Sequence, residues 1–177
     1  LAPGLTAIYR LSLKTGTLPS DWRDALISPV FKKGDIHQAC NYRPISLTSV
    51  ICKQLEHIIC RHILQHLEEN NILSSLNHGF RSGHSTETQL LTVVHDFLLA
   101  HDKKTQMDVI ILDFEKAFDT VPHSLLLHKL HLYGIEGPIH QWLSSFLTKR
   151  QMKVVVDGEL SSSSAVSSGV PQGTVLG

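Results

Sequence analysis

The stretch "VIILDFEKAFDTV", residues 109–121, changes character in its middle. Its first four side chains are aliphatic, which is typical of a strand covered on both faces of a sheet. Asp113 follows directly, and Glu115, Phe118 and Asp119 come within the next six residues. A carboxylate at the end of a rigid strand is suited to binding a divalent cation, although an aspartate there can equally form a turn. The stretch therefore predicts a buried strand that ends in a candidate metal ligand.

Composition indicates one globular domain with a core. The 177 residues are 42% hydrophobic and 18% charged, and no apolar run approaches the roughly 18 residues that a membrane span needs. The N-terminus has no charged-then-apolar leader. We therefore expect an intracellular protein of the nucleus or cytoplasm that is neither secreted nor bound to a membrane. Because sixteen basic residues balance sixteen acidic ones, any contact with a polyanion must be local.

Cysteine and histidine are the residue types that would indicate disulfides or zinc. Cys40, Cys52 and Cys60 are odd in number and lack C-x-x-C spacing, which favours reduced intracellular thiols. The twelve histidines include pairs at positions 62 and 66 and at 128 and 131, but neither pair carries the glutamate of H-E-x-x-H. We therefore favour partly exposed helix histidines over a zinc site.

Hydrophobic periodicity predicts five helices, over about 5–13, 50–69, 86–101, 124–133 and 138–147. The longest has an apolar stripe of Ile51, Leu55, Ile58, Ile59 and Leu67. Either Ser85 or Thr86 is expected to cap the third helix.

Strand signals occur within residues 24–35, 41–47, 109–114 and 152–158. The first two are predicted to form a hairpin, with Pro44 indicating an edge strand. The serine run at 161–164 is interpreted as a solvated turn between strands. Helices mixed with strands that are partly hairpins predict an α+β fold, with helices packed on one side of an antiparallel sheet.

Four groups of segments follow one another along the chain. They are "LISPVFKKGD" with "NYRPISL" (26–35 and 41–47), "NHGFRSGHSTETQL" (77–90), "LDFEKAFDTVPH" (112–123) and "SSGVPQGTVLG" (167–177). In that order they resemble the first fingers motifs, the next fingers motif, the first catalytic motif and the Pro-Gln-Gly motif of reverse transcriptases from LINE-type (non-LTR) retrotransposons. Several matches in the family's order are more specific than any single match. Within non-LTR elements, the sequences of these segments are most similar to those of the jockey and chicken-repeat groups.

The resemblance implies a partial right-hand polymerase, with an N-terminal extension and fingers in about 1–106, an incomplete palm in about 107–177 and no thumb. It implies an RNA-directed DNA polymerase that uses an RNA template, a DNA primer and dNTPs, with two Mg²⁺ ions, or Mn²⁺, at the site. Because the chain stops before the Tyr-x-Asp-Asp motif, we expect this chain alone to be inactive. The alternatives are a decayed, non-catalytic remnant and, less favoured, a phosphohydrolase that uses Asp113 and Glu115.

The first catalytic motif carries the implied metal ligands. By resemblance, Asp113 would bind both ions and the backbone carbonyl of Phe114 would help bind the nucleotide-associated ion, while Glu115 would face solvent. Asp119 is interpreted as a cap of the following helix, or a local structural residue, rather than as a metal ligand. Phe118 resembles the steric gate that leaves no room for a ribose 2′-hydroxyl, and its alternative role is an ordinary core aromatic.

Other residues are implied to bind the nucleotide. Lys32, Lys33 and Arg43 would bind its triphosphate, because guanidinium groups grip phosphate oxygens bidentately and lysine supplies a point charge; the alternative is ordinary surface charge. Gln172 can donate and accept hydrogen bonds at once, which suits contact with the sugar or base pair. Gly173 removes a side chain where that pair must pass.

Template contacts are implied at the loop of Gly79, Phe80 and Arg81, where the main chain can approach nucleic acid closely. The basic stretch "TKRQMK", residues 148–153, could also contact template or primer phosphate. For that stretch we favour the simpler interpretation of a solvated helix end.

Overall fold

The computed structural model describes residues 2–177, and over that range the chain forms six α-helices and a five-stranded sheet. This mixed content confirms the prediction of helices combined with strands. The elements are α1 (Ala2–Thr15), α2 (Ser20–Arg23), β1 (Ala25–Phe31), β2 (Tyr42–Leu47), α3 (Val50–Glu69), α4 (Thr86–Asp102), α5 (His123–Leu132), α6 (Gly137–Leu147), β3 (Gln151–Val156), β4 (Glu159–Leu160) and β5 (Ser164–Ala165).

Two compact units make up the structure. The larger unit consists of the chain up to His66 together with Lys116–Gly177, and the smaller unit is Leu67–Glu115. This division by packing differs from the predicted boundary near residue 106 between fingers and palm. The functional boundary therefore stays a prediction.

The sheet belongs to the larger unit and has the strand order β2-β1-β3-β4, with β5 paired to β3. Strands β1 and β2 are antiparallel neighbours, with Ile27 opposite Ser46 and Pro29 opposite Pro44. The edge position of β2 confirms the prediction from Pro44, because proline has no N–H to donate to a second neighbour. The expectation of a purely antiparallel sheet is wrong, since β1 and β3 are parallel. The long chain between these two strands supplies the crossover that parallel pairing requires.

The core of the larger unit gathers around α6, whose Trp142 and Phe146 are fully buried and stacked with ring centroids 5.5 Å apart. The Trp142 indole Nε1–H donates to Ser12 Oγ of α1 at 2.9 Å, so the buried donor is satisfied. Helix α3 has the predicted bounds, but its buried face is shifted from the predicted stripe: Cys52, Leu55 and Ile59 are buried, whereas Ile51 and Ile58 are exposed.

Helix α4 lies in the smaller unit and begins with a reciprocal cap. Ser85 Oγ accepts from the Thr88 N–H at 3.2 Å, and the Ser85 N–H donates to Thr88 Oγ1 at 2.9 Å. These bonds satisfy N–H groups that have no partner inside the helix. The predicted cap at Ser85 is thereby confirmed.

The predicted buried strand over 109–114 is wrong. Residues 105–114 form neither helix nor strand, and Ile110, Ile111 and Leu112 are 84%, 87% and 85% exposed. A run of aliphatic residues predicts burial, but a strand exists only where another backbone completes its hydrogen bonds.

Within residues 2–177, no helix combines the length and apolar character needed to span a bilayer.

Candidate nucleotide-binding site

Residues 168–176, here named the Pro-Gln-Gly loop, pack against the turn 116–121 within the first catalytic motif. The Gly169 N–H donates to the Val121 carbonyl at 2.8 Å, and the Val170 N–H donates to the Phe118 carbonyl, also at 2.8 Å. Two main-chain bonds of this length fix one backbone against the other. Segments far apart in the sequence are thereby brought to one place in the larger unit.

Asp119 adds side-chain and main-chain contacts to the same junction. Its Oδ1 accepts from Gln172 Nε2 at 2.7 Å, and its carbonyl accepts from Ser168 Oγ at 3.1 Å. The predicted helix cap is wrong, because the N-cap of α5 is Pro122 and no side chain caps that helix. Asp119 is instead bonded to the Pro-Gln-Gly loop, and its side-chain partner Gln172 lies 53 residues away. Its predicted role in local structure, as opposed to metal binding, stays a prediction.

Gly169 is required at this junction by both space and backbone conformation. Its φ is +82°, a region that L side chains rarely adopt. A Cβ added here would lie 2.7 Å from the Asp119 carbonyl oxygen and 2.8 Å from the Asp119 Cα. The absence of a side chain therefore allows the loop to approach the turn.

The loop also extends the sheet at the free edge of β2. The Ser46 N–H donates to the Gln172 carbonyl at 2.8 Å, and a Cβ added at Gly173 would lie 3.1 Å from Ile45 Cγ2. An edge strand presents unpaired N–H groups, and the loop satisfies one of them. The segment "NYRPISL" and the Pro-Gln-Gly loop, both of which carry residues predicted to bind the nucleotide, therefore meet.

A cavity of ≈ 280 Å³ lies where these segments converge. Its sheet side is formed by residues of one face of β1 and β2, and its other side carries polar groups of the turn and loop. The volume is close to the lower end of the range for small-ligand sites, roughly 300 Å³. Its lining includes Ile27, Pro44, Ser46, Asp119, Arg150 and Gln172.

The three cations predicted to bind triphosphate are exposed. Lys32 and Lys33 follow the end of β1, and Arg43 lies on β2 opposite Val30. Side chains alternate along a strand, so Arg43 is on the sheet face opposite to Pro44, which lines the cavity. The structure therefore places Arg43 at the surface and not at the cavity.

Arg150 corrects the interpretation of "TKRQMK" as a solvated helix end. Lys149 and Lys153 are exposed, but Arg150 is only 3% exposed and lines the cavity. Its Nη1 donates to the Phe146 carbonyl at 3.0 Å, and its guanidinium lies 5.2 Å from the Phe146 ring centroid. Burial lowers the pKa of Arg150, while the negative charge of Glu56 opposes that shift. No sequence signal separates Arg150 from its exposed neighbours.

Asp113 and Phe114 belong to the smaller unit, in the exposed segment without regular structure. Glu115 is exposed, as expected. Across residues 2–177, no three His, Cys, Asp or Glu side chains form a group that could hold a metal ion. A single carboxylate such as Asp113 has the chemistry of one Mg²⁺ ligand, and its role stays a prediction.

The predicted template loop also lies in the smaller unit. Phe80 is 86% exposed with φ +57°. Arg81 Nη1 donates to the Ser74 carbonyl at 3.0 Å, and Arg81 Nε is 3.7 Å from Glu68 Oε1. Arg81 therefore braces its own loop, and its contact with a template stays a prediction.

Comparison with known proteins identifies the family of this chain. The sequence model of the family described as "Reverse transcriptase (RNA-dependent DNA polymerase)" matches residues 30–177, a range that covers most of the chain. The chain therefore belongs to the reverse transcriptase family.

Individual relatives agree with this assignment. The chain is 34% identical over 174 residues to the RNA-directed DNA polymerase from mobile element jockey of Drosophila melanogaster, and 35% identical over 177 residues to the protein of the same name from Drosophila funebris. Each alignment covers 98% of this chain and 19% of the relative. A Pol polyprotein from the type-1 retrotransposable element R2 of Popillia japonica is 25% identical over 94% of this chain and 23% of that protein.

These matches confirm the resemblance to jockey-like, non-LTR reverse transcriptases. The chain spans about a fifth of the length of the jockey proteins that it matches.

Proposed function

We propose that this chain forms fingers and palm structure of an RNA-directed DNA polymerase of a non-LTR retrotransposon. The reaction joins a dNTP to a primer 3′-hydroxyl under the direction of an RNA template, with loss of pyrophosphate. The observation that carries the proposal is the convergence of β2, the turn 116–121 and the Pro-Gln-Gly loop on one cavity. These three segments come from three of the motifs that resemble polymerase motifs.

Gln172 and Gly173 would contact the nucleotide at this cavity. The Gln172 side chain is oriented by its bond to Asp119 Oδ1, and its main chain is held by Ser46. A side chain that is fixed before a ligand arrives loses less conformational entropy on binding. This arrangement supports a role for the loop in holding the nucleotide sugar or base pair.

Phe118 would act as the gate against ribonucleotides. Phe118 is 42% exposed, which supports the gate over an ordinary core aromatic, and its carbonyl accepts from the Val170 N–H. A flat apolar ring next to the sugar excludes a 2′-hydroxyl by its size and leaves that hydroxyl without a hydrogen-bond partner. The exposure of the ring and the fixed backbone support this role.

The exposed lysines Lys32 and Lys33 would bind the triphosphate, and the loop 79–81 would contact the template. Arg43 was predicted to bind the triphosphate as well, but it lies on the sheet face away from the cavity and is left out of the proposed site. Asp113 would supply one carboxylate, and the Phe114 carbonyl one further oxygen, to Mg²⁺. Bound divalent cations would polarise the phosphoryl oxygens and stabilise the negative charge of the leaving group.

Primer extension by the longest polypeptide encoded in frame with this chain tests the proposal. The reaction contains an RNA template with an annealed DNA primer, dNTPs and magnesium, and we expect incorporation that follows the template sequence. A parallel assay measures hydrolysis of a phosphomonoester. Hydrolysis without incorporation would favour the phosphohydrolase alternative, and a folded protein inactive in both assays would favour a decayed remnant.

A further inference from the structure

Glu56 is a carboxylate in the buried face of α3. It is 0% exposed and lies one turn after Cys52, beside the buried Leu55. A carboxylate removed from water is strongly unfavourable unless hydrogen bonds and charges replace its hydration. The contacts that Glu56 makes therefore indicate why the position holds a glutamate in an otherwise apolar stripe.

The main chain just beyond Gly173 supplies these contacts. Glu56 Oε2 accepts from the Val175 N–H at 2.8 Å and from the Leu176 N–H at 3.2 Å. Hydrogen bonds from backbone N–H groups to an ionised acceptor are about twice as strong as those to a neutral one. The Pro-Gln-Gly loop is thus held by Glu56 at its C-terminal end, by Ser46 at Gln172, and by Asp119 at both Gln172 and Ser168.

Two neighbouring groups interact electrostatically with Glu56, and one of them, Arg150, lines the cavity. Burial, followed by the charge of Glu56, raises the pKa of Cys52 to about 12, so its thiol stays neutral beside the carboxylate. The charge of Glu56 also opposes the effect of burial on Arg150, which lines the cavity. Glu56 is therefore linked to the cavity through both the loop backbone and a buried cation.

We propose that Glu56 is a positioning residue for nucleotide binding: its carboxylate anchors the main chain after Gly173 and so holds Gln172 and Gly173 in place at the cavity. This inference rests on the proposed polymerase function. A loop fixed at both ends is preorganised, whereas a loop released at Val175 and Leu176 must be ordered by the incoming nucleotide. Glu56 itself need not touch the nucleotide.

Hydrogen–deuterium exchange tests the anchor without any polymerase activity. The full-length protein is compared with Glu56→Gln, which keeps the size of the side chain but removes its charge, and with Glu69→Gln at the exposed end of the same helix. We expect exchange in peptides covering 170–177 to rise about 10-fold in Glu56→Gln and to stay unchanged in the control. Unchanged exchange in both variants would overturn the anchor.

Nucleotide kinetics test the positioning role. We expect Glu56→Gln to raise KM for dNTP about 10-fold while kcat stays within about 2-fold, because the loop binds substrate but does not perform the chemistry. Glu56→Asp keeps the charge but places it farther from the Val175 and Leu176 N–H groups. Its KM for dNTP should lie between those of the unaltered protein and Glu56→Gln, and it replaces Glu56→Gln if that variant does not fold. Raised exchange with an unchanged KM would overturn the positioning role.

The same two measurements separate this inference from the proposed function. If the unaltered protein incorporates no nucleotide, the polymerase proposal fails together with the positioning role. The exchange result then still decides whether Glu56 anchors the loop. If the unaltered protein polymerises and Glu56→Gln matches it in KM, only the inference about Glu56 fails.

Discussion

The nine residues of the Pro-Gln-Gly loop include two glycines and three aliphatic side chains, whereas residues 109–112 are all aliphatic: Val, Ile, Ile and Leu. Hydrophobicity alone would bury the second segment and leave the first in solvent. The structure shows the opposite. The loop is hydrogen-bonded to Ser46, Asp119 and Glu56, while the aliphatic segment is exposed and without regular structure.

Specific polar partners explain the difference. The loop offers N–H and C=O groups that meet an edge strand, a turn and a buried carboxylate, so its backbone hydrogen bonds are satisfied within the larger unit. The aliphatic segment has side chains suited to burial but no pairing in the sheet. Backbone pairing, and not apolar content, therefore distinguishes the two regions.

The largest expected effect is on the exposed segment. In the full-length protein, Asp113→Asn keeps the size of the side chain but removes a charge from the proposed metal site, so incorporation should fall on the order of 10³-fold. Asp108→Asn, an exposed neighbour in the same segment, is the matched control and should retain activity. Primer extension with folding checked by circular dichroism makes the measurement, and near-normal incorporation by folded Asp113→Asn would show that the segment has no catalytic role.

Gly169→Ala tests how closely the Pro-Gln-Gly loop is held. A Cβ would meet Asp119 backbone atoms at 2.7–2.9 Å and would also strain a backbone at φ +82°, which should destabilise the protein by about 3 kcal/mol. The matched control is Gly158→Ala, whose φ is +87° but whose added Cβ has nothing within 4 Å; it should cost about 1 kcal/mol. Denaturant unfolding measures both, and equal losses would mean that the close contact contributes nothing.

Phe118→Val examines the turn that the loop contacts. Removing the ring opens space beside the proposed sugar position and should raise the use of ribonucleotides relative to deoxyribonucleotides about 10-fold. Phe97→Val, with 43% exposure against 42% for Phe118, controls for the loss of an exposed aromatic. Competition between rNTP and dNTP in primer extension gives the ratio, and a ratio unchanged from the unaltered protein would remove Phe118 from the site.

The smallest expected effect concerns the thiol of Cys52, which lies one helical turn before Glu56. Because burial and Glu56 raise the pKa of Cys52 from 9.0 to about 12, the unfolded chain releases this proton at lower pH than the folded chain does. The protonated Cys52 thiol contributes fully to the free energy of unfolding below about pH 9, and this contribution is lost as the pH rises toward about 12. Roughly 0.8 kcal/mol of it is lost between pH 8 and pH 9.5. Cys52→Ala should lack this component of the pH dependence in denaturant unfolding, and identical slopes in both proteins would contradict it.

Local signals in the sequence determined much of the framework. The bounds of α3, the cap at Ser85 and the edge position of β2 were predictable because periodicity, capping and proline act over a few residues. The ordered motifs also placed Phe118 and Gln172 in one predicted site, and the structure brings their segments together. Each of these signals is carried by residues that are close in sequence or by a pattern that the family shares.

Tertiary structure alone decided which polar groups are buried and what they contact. Glu56 and Arg150 look like ordinary charged residues in sequence, and Asp119 resembles a helix cap. Their roles depend on partners 119 residues away for Glu56 and 53 residues away for Asp119. Hydrophobic periodicity reports which face of an element prefers burial, but it does not specify which backbone will arrive to complete the hydrogen bonds. For the same reason, the aliphatic run before Asp113 predicted a strand that the structure does not form.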